Sequence, residues 1–291
     1  MEFIDKTKSA REAEDIINSF LKSFIDEEAN YPEDLYDAFC RDRNTNGKKY
    51  RELLTNILKL EQKNRCCYCM QRLVGETVEH IIPNKINTKI EFENYLCPNT
   101  VLNKYKLYFT KEFLCNRETN FPPYPHTIAY QNLTLSCCSN NHCNNFRGDK
   151  TIKPLIFYST ISEDIEYKFN GFVVWKNETE DLPTLVKLGL NDDSLMMIRR
   201  IWLFANNENV NLLYLDKNKR HEFILRLLPE VEKNEEDILL KFKNDKQWEL
   251  LKRYDYFASY KLKSIAKQLS NLTAKELKDL IEQIVKSIAN K

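Results

Sequence analysis

The chain has 291 residues with 42% hydrophobic and 30% charged side chains, the profile of a soluble globular protein with room for one good core and a second unit. A formal net charge of +1 gives no overall attraction for a polyanion, so any phosphate binding would rest on a local patch. No run approaches the roughly 18 apolar residues of a membrane helix. The opening residues MEFIDKTKSA carry acids and no apolar stretch, unlike an export signal, so a cytoplasmic protein is expected. Five glycines leave no Gly-rich phosphate loop, which excludes Walker and dinucleotide motifs and ATP binding by this chain. Nine cysteines, an odd number without an export signal, point to metal binding and away from a disulfide framework. Of these, only Cys40 lies outside residues 66–143.

Residues 9–29 read as a helix: Ser9 can cap it, and Ile16, Ile17, Phe20, Leu21, Phe24 and Ile25 recur at helical spacing. A short helix is expected at 33–40, a turn at 44–47, and another helix at 48–63 that leads straight to Cys66. Residues 71–82 alternate around Gly75, which predicts a hairpin ending at His80. Residues 84–131 read as an irregular insertion with a short helix near 100–113, followed by a strand at 132–136 and a helix beginning at 144–150. Asn170-Gly171 between Ile165–Phe169 and Phe172–Trp175 is a strong hairpin signal. Asp192-Asp193 opens a helix through Leu195, Ile198, Ile201, Trp202 and Phe204, and three Lys- and Leu-rich helical stretches follow over 218–289. The expected fold class is α+β, mostly helical. It comprises a helical amino-terminal region (1–62), a motif-bearing core (63–155, insertion 84–131) and a mainly helical region with one hairpin (156–291), a candidate docking element for a partner.

Cys66-x-x-Cys69 has knuckle spacing, and Cys137 or Cys138 with Cys143 makes a second pair. Four thiolates on one tetrahedral zinc would tie together two distant segments and contribute folding free energy directly. The C-x-x-C spacing favours Cys66 over Cys67, and the place after Ser136 favours Cys137 over Cys138. Buried free thiols are the plain alternative. His142 beside Cys143 is a weaker zinc candidate. His126 reads as structural, His221 as a helix-surface residue, and Cys97 and Cys115 as inert thiols.

Between the cysteine pairs lie Glu79, His80, Asn132 and Asn144, a set suited to phosphodiester hydrolysis. A neutral imidazole is the right general base at cell pH, which assigns that role to His80. Hard oxygen ligands, Glu79 and the Asn144 amide, suit Mg²⁺ or Mn²⁺ as a catalytic divalent ion. On an extended strand Glu79 would point away from His80; if the strand ends there, it could turn toward the metal. Asn132 more plausibly holds the loop and orients His80. Arg147 and Lys150, early in the last helix of the core, could meet phosphate. Each residue alone has a structural reading, as a surface pair or a helix cap; the joint order carries the functional one.

The CCYC, VEHIIP, NLTLSC and HCNNFRGDK segments resemble the HNH endonuclease superfamily, and more narrowly the HNH component of Septu-type and retron-associated antiphage systems. The similarity extends to Leu188-Gly189-Leu190-Asn191 before a helix. The resemblance implies a zinc-knuckle ββα-metal core and a metal-dependent nuclease acting on DNA or RNA beside an ABC/SMC-like ATPase partner. By motif it makes His80 the general base, Asn132 the central asparagine, and Asn144 the occupant of the usual last histidine's place, with Arg147 where a lysine is usual. A stand-alone restriction-type HNH enzyme and a non-catalytic zinc module are the alternatives.

Overall fold

The computed structural model describes residues 1–26, 35–86, 92–93, 107–110, 123–176, 184–260 and 273–289. It is mixed α+β, and the chain divides into two compact units, Met1–Met196 and Met197–Lys291. The first unit takes in the stretches 1–62 and 63–155 and the Asn170-Gly171 hairpin.

Its helices α1 (Ala10–Asp26), α2 (Leu35–Arg41) and α3 (Tyr50–Glu61) form a layer because each carries one apolar stripe. Ile17, Phe20 and Leu21 of α1, Phe39 of α2, and Leu54, Ile57 and Leu58 of α3 are buried. The Phe20 ring meets Phe39 and Tyr50 at centroid distances of 5.1 and 5.4 Å, a favoured edge-on geometry. Just past α3, the Gln62 amide brackets Leu135: its Nε2 donates to the Leu135 carbonyl at 2.9 Å, and the Leu135 N–H donates to its Oε1 at 2.7 Å. Tyr130 and Lys6 both bond Glu61, and Gln131 donates to Glu14 on α1. These long-range polar ties make the helical layer continuous with the motif-bearing core.

That core holds β1 (Glu76–His80), β2 (Phe109–Thr110), β3 (Tyr124–Pro125), β4 (Leu133–Cys137) and α4 (Cys143–Arg147). Strands β1 and β4 pair antiparallel, from Glu76 opposite Cys137 to His80 opposite Leu133. The hairpin expected across Gly75 is therefore corrected. Residues 65–72 fold back on themselves instead, with Arg65 bridging Arg72 and the Cys66 N–H donating to the Gln71 carbonyl at 2.8 Å. The partner of β1 comes from beyond the insertion. Within the stretch where a helix was expected near 100–113, β2 pairs in parallel with β3; 100–106 and 111–113 lie outside the described residues. Helix α4 stops at Arg147, earlier than expected, because Gly148 turns to φ +56°.

The predicted hairpin is present as β5 (Ile165–Tyr167) and β6 (Val173–Trp175), followed by α6 (Thr184–Lys187) and α7 (Asp193–Asn207), with α5 (Ile161–Asp164) before it. The Asn191 side chain clamps β6 by accepting from the Val173 N–H at 2.8 Å and donating to its carbonyl at 3.1 Å. In the second unit, α8 (Lys217–Leu227), α9 (Glu236–Leu240), α10 (Asp245–Lys252) and α11 (Ala274–Ala289) are shorter and more broken than three helices would be. Asp216 caps α8 and Asn244 caps α10. Buried Trp202, Phe223, Leu227, Trp248 and Leu251 form this unit's core. Among the described residues no helix is long and apolar enough to cross a membrane.

Candidate functional site

A two-stranded sheet with a five-residue helix buries too little to hold its own shape; here its ends converge on sulfur. Cys66 and Cys69 come from the 65–72 turn, Cys137 from the end of β4, and Cys143 from the start of α4. All four are buried, with their Sγ atoms within 4.8 Å of one another. The Cys66–Cys143 and Cys69–Cys137 separations are 3.7 and 3.8 Å. A regular tetrahedron with metal–sulfur bonds of about 2.3 Å has sulfur–sulfur edges of about 3.8 Å. These separations are also far beyond the roughly 2.05 Å of a disulfide. The four buried cysteines could therefore hold a metal ion such as zinc, and the donor set fits it in number, softness and spacing.

The open choices in the register are resolved by direction. Cys67 Sγ turns away to accept from the Thr134 hydroxyl at 3.7 Å, and Cys138 is exposed. His142 stands outside the four-thiol group but beside it, with Nδ1 3.2 Å from Cys143 Sγ and 3.9 Å from Cys137 Sγ, where an N–H can donate to a ligand sulfur. Burial is the largest influence on the Cys66 thiol and raises its pKa, yet hydrogen bonds from Cys137 and Cys143 carry it well below its ordinary value. Cys137 falls to about 6, first through its bond with Cys143. Burial pushes Cys69 and Cys143 up. Shared protons of this kind are what a thiolate site holds before a metal replaces them.

The segment after α6 braces the cluster. The Cys143 N–H donates to the Leu188 carbonyl at 2.7 Å, and Gly189 sits at φ +59°, where an added Cβ would lie 2.6 Å from the Asn141 carbonyl oxygen. Only glycine suits that left-handed, close approach.

The remaining sequence-predicted residues divide between the two faces of β1, because neighbours on a strand point opposite ways. Thr77 and Glu79 face α4. Glu79 and Arg147, each with 1% side-chain exposure, form a buried ion pair, and Glu79 Oε1 also accepts from the Tyr68 hydroxyl at 2.6 Å. Arg147 donates further to the carbonyls of His80, Ile81 and Lys150 at 3.0, 3.0 and 2.9 Å. This corrects the expectation that Arg147 meets phosphate: its guanidinium is spent inside the protein, neutralising Glu79 and satisfying the chain leaving β1. Lys150 is exposed, with Nζ 4.7 Å from the Phe146 ring centre. Asn144, half-buried, donates through Nδ2 to Thr77 Oγ1 at 3.3 Å and takes a bond from neither Glu79 nor His80. A hard divalent ion held by Glu79 and Asn144 does not fit this arrangement. Burial raises the Glu79 pKa against the opposing Arg147 charge, and Mg²⁺ needs a wide shell of oxygens, usually including waters. Glu79 Oε2 is buried and unpartnered, and one or two such oxygens fall short of that shell.

His80, half-buried, faces the other side. Its Nε2 lies 2.9 Å from the Thr127 carbonyl oxygen; since a carbonyl only accepts, Nε2 carries a proton, and in the neutral form of the ring the basic nitrogen is then Nδ1. The Tyr36 ring stands edge-to-face with the imidazole, centroids 4.6 Å apart. Asn132 is buried and clamps the exit of β1: Oδ1 accepts from the Ile82 N–H at 2.7 Å, while Nδ2 donates to the carbonyls of Ile82 and His126 at 3.0 and 2.8 Å. His126 is buried and bonds the Pro83 carbonyl at 3.2 Å. His221, on α8, is half-buried and bonds the Lys243 carbonyl at 3.4 Å. Cys97 and Cys115 lie outside the described residues. Sequence reasoning missed Tyr36, Tyr68 and Thr127; Tyr68 lies within the CCYC segment, whereas Tyr36 and Thr127 belong to no spaced motif. Comparisons with protein-family models, with curated proteins and with solved structures each return no match.

Proposed function

We propose that the protein is an HNH-type nuclease, hydrolysing phosphodiester bonds of nucleic acid, whose ββα core is organised by a structural zinc ion on Cys66, Cys69, Cys137 and Cys143. The observation that carries the reading is the oriented imidazole at the end of β1. With Nε2–H committed to Thr127, Nδ1 is the nitrogen that takes a proton from the attacking water, and Asn132 holds the following loop in place. Exposed Lys150 supplies a phosphate contact. Mg²⁺ or Mn²⁺ would supply charge neutralisation at the phosphate when bound; Glu79 in its present pairing is not the residue that holds it. In the antiphage setting that the sequence resembles, the chain is the effector of an ABC/SMC-like ATPase partner. Exposed Leu277 and Ile281 on α11, one helical turn apart, support a docking role for that helix.

The test is cleavage of single- and double-stranded DNA and RNA by purified protein with Mg²⁺ or Mn²⁺, with and without the neighbouring ATPase, against His80→Ala. Loss of cleavage by His80→Ala at unchanged zinc content is expected; cleavage without the partner would favour a stand-alone enzyme. The buried Glu79–Arg147 pair favours a second reading, a non-catalytic zinc module for binding nucleic acid or protein. It predicts that His80→Ala leaves the biological activity intact, an outcome that would overturn the nuclease reading.

A further inference from the structure

The imidazole of His80 is held by residues outside its own strand. Thr127 holds one ring nitrogen, and a hydrogen bond at one nitrogen does not by itself set the plane of a ring. A further restraint is the Tyr36 ring, nearly perpendicular to the imidazole at an interplanar angle of 81° and a centroid distance of 4.6 Å. Tyr36 belongs to α2, in the helical layer that precedes the metal motifs. Its helix is seated on its neighbours: Phe39 of α2 packs on Phe20 of α1 and Tyr50 of α3. A ring carried on a packed helix is a wall that restricts the rotation of whatever packs on it.

We infer that Tyr36 is a positioning residue: it sets the plane of the His80 imidazole in which Nε2 meets the Thr127 carbonyl, so that helix α2 forms part of the site. The catalytic consequence rests on the nuclease reading; the restraint on the ring does not. Tyr36 touches the base and not the substrate, so its removal lowers kcat and leaves KM in place. The contact is made by the ring, so Tyr36→Phe keeps the wall and Tyr36→Leu removes it.

Two measurements on the full chain test this. The first is the ¹⁵N-histidine NMR spectrum at neutral pH, with the His80 signals assigned by their loss in His80→Asn. Wild type and Tyr36→Phe are expected to show the Nε2–H tautomer, and Tyr36→Leu a mixture of both tautomers with broadened signals. The second is cleavage kinetics. Tyr36→Leu is expected to lose roughly 10- to 100-fold in kcat with KM within about twofold, consistent with the sensitivity of catalysis to small misplacements, while Tyr36→Phe loses less than about fivefold. Zinc content of one per chain in each variant confirms that the core is intact. A Tyr36→Leu spectrum identical to wild type overturns the inference, as does a kinetic loss confined to KM. Should the wild type cut nothing under any condition, the nuclease reading falls, and the tautomer measurement still decides whether Tyr36 orients the ring.

Discussion

Replacing Arg147 with methionine removes the cation from a pair in which both side chains are 1% exposed. Methionine fills much of the aliphatic volume, so the main loss is charge and hydrogen bonds. Breaking one side of a buried ion pair costs about 3–5 kcal/mol, because the other charge is left uncompensated. The carbonyls of His80, Ile81 and Lys150 lose a donor as well. For a unit the size of Met1–Met196, each kcal/mol lowers Tm by about 2–4 °C, so the expected loss is roughly 6–20 °C. The effect also depends on pH in a defined direction. Burial already raises the Glu79 pKa and Arg147 opposes that rise, so without the guanidinium the folded protein takes up a proton more readily than the unfolded chain. A carboxyl with a raised folded pKa contributes stability that is present at low pH and lost as pH rises through the folded value. The deficit of Arg147→Met should therefore be largest near pH 7–8 and shrink as pH falls toward the ordinary carboxylate range near 4. Glu79→Gln combined with Arg147→Met should recover much of the loss, since no bare charge remains. Calorimetry of wild type and the two variants across pH measures this; Arg147→Met melting within about 2 °C of wild type at pH 7.5, or a deficit that grows on acidification, would refute the argument.

Cys69→Ser and Cys143→Ser should each abolish stoichiometric zinc in elemental analysis and destabilise the first unit, whereas Cys67→Ser and Cys138→Ser retain one zinc per chain. A strong chelator should melt the β1–β4 core, with loss of amide protection in hydrogen exchange at Leu133–Cys137, since structural zinc supplies on the order of 10 kcal/mol to sites of this kind. Asn132→Ala strands the Ile82 N–H and two carbonyls and should cost about 2–4 kcal/mol in urea unfolding. Gly189→Ala, forced into the left-handed region against the Asn141 carbonyl, should cost about 1–3 kcal/mol and speed zinc loss to a colorimetric chelator.

How much was legible follows the range of each signal. The cysteine pairs were readable because knuckle spacing is local, and which cysteines join the cluster is decided by strand direction, which turns Cys67 toward Thr134 and leaves Cys138 outside. The Asn170-Gly171 hairpin was readable for the same reason. The hairpin about Gly75 was misread because alternation marks a strand without naming its partner, and the partner of β1 lies across the insertion. Arg147 was misread because a basic residue near the start of a helix is usually solvated; its carboxylate stands 68 residues away in sequence. Tyr36 and Thr127 carry no spacing signal at all, and only packing brings them to His80.

The alternation of β1 has one more consequence. Glu79 and His80 are adjacent, and the strand extends through both, so their side chains part company: Glu79 enters the space between strand and helix, and His80 meets Thr127 and Tyr36. A carboxylate sealed by Tyr68 and Arg147 and an imidazole on the opposite face cannot share one small cation without a change in the strand or in Arg147. The two residues that look like one motif in sequence therefore do different work in the fold. Glu79 joins the four-cysteine cluster in holding α4 against β1, and His80 meets residues from outside the strand. On the proposed nuclease reading, His80 is the group that acts on the phosphodiester, and α2, which carries Tyr36 against the imidazole, borders it. That reading predicts that substitutions on the exposed face of α2 alter cleavage preference more than substitutions at Asn145 on α4.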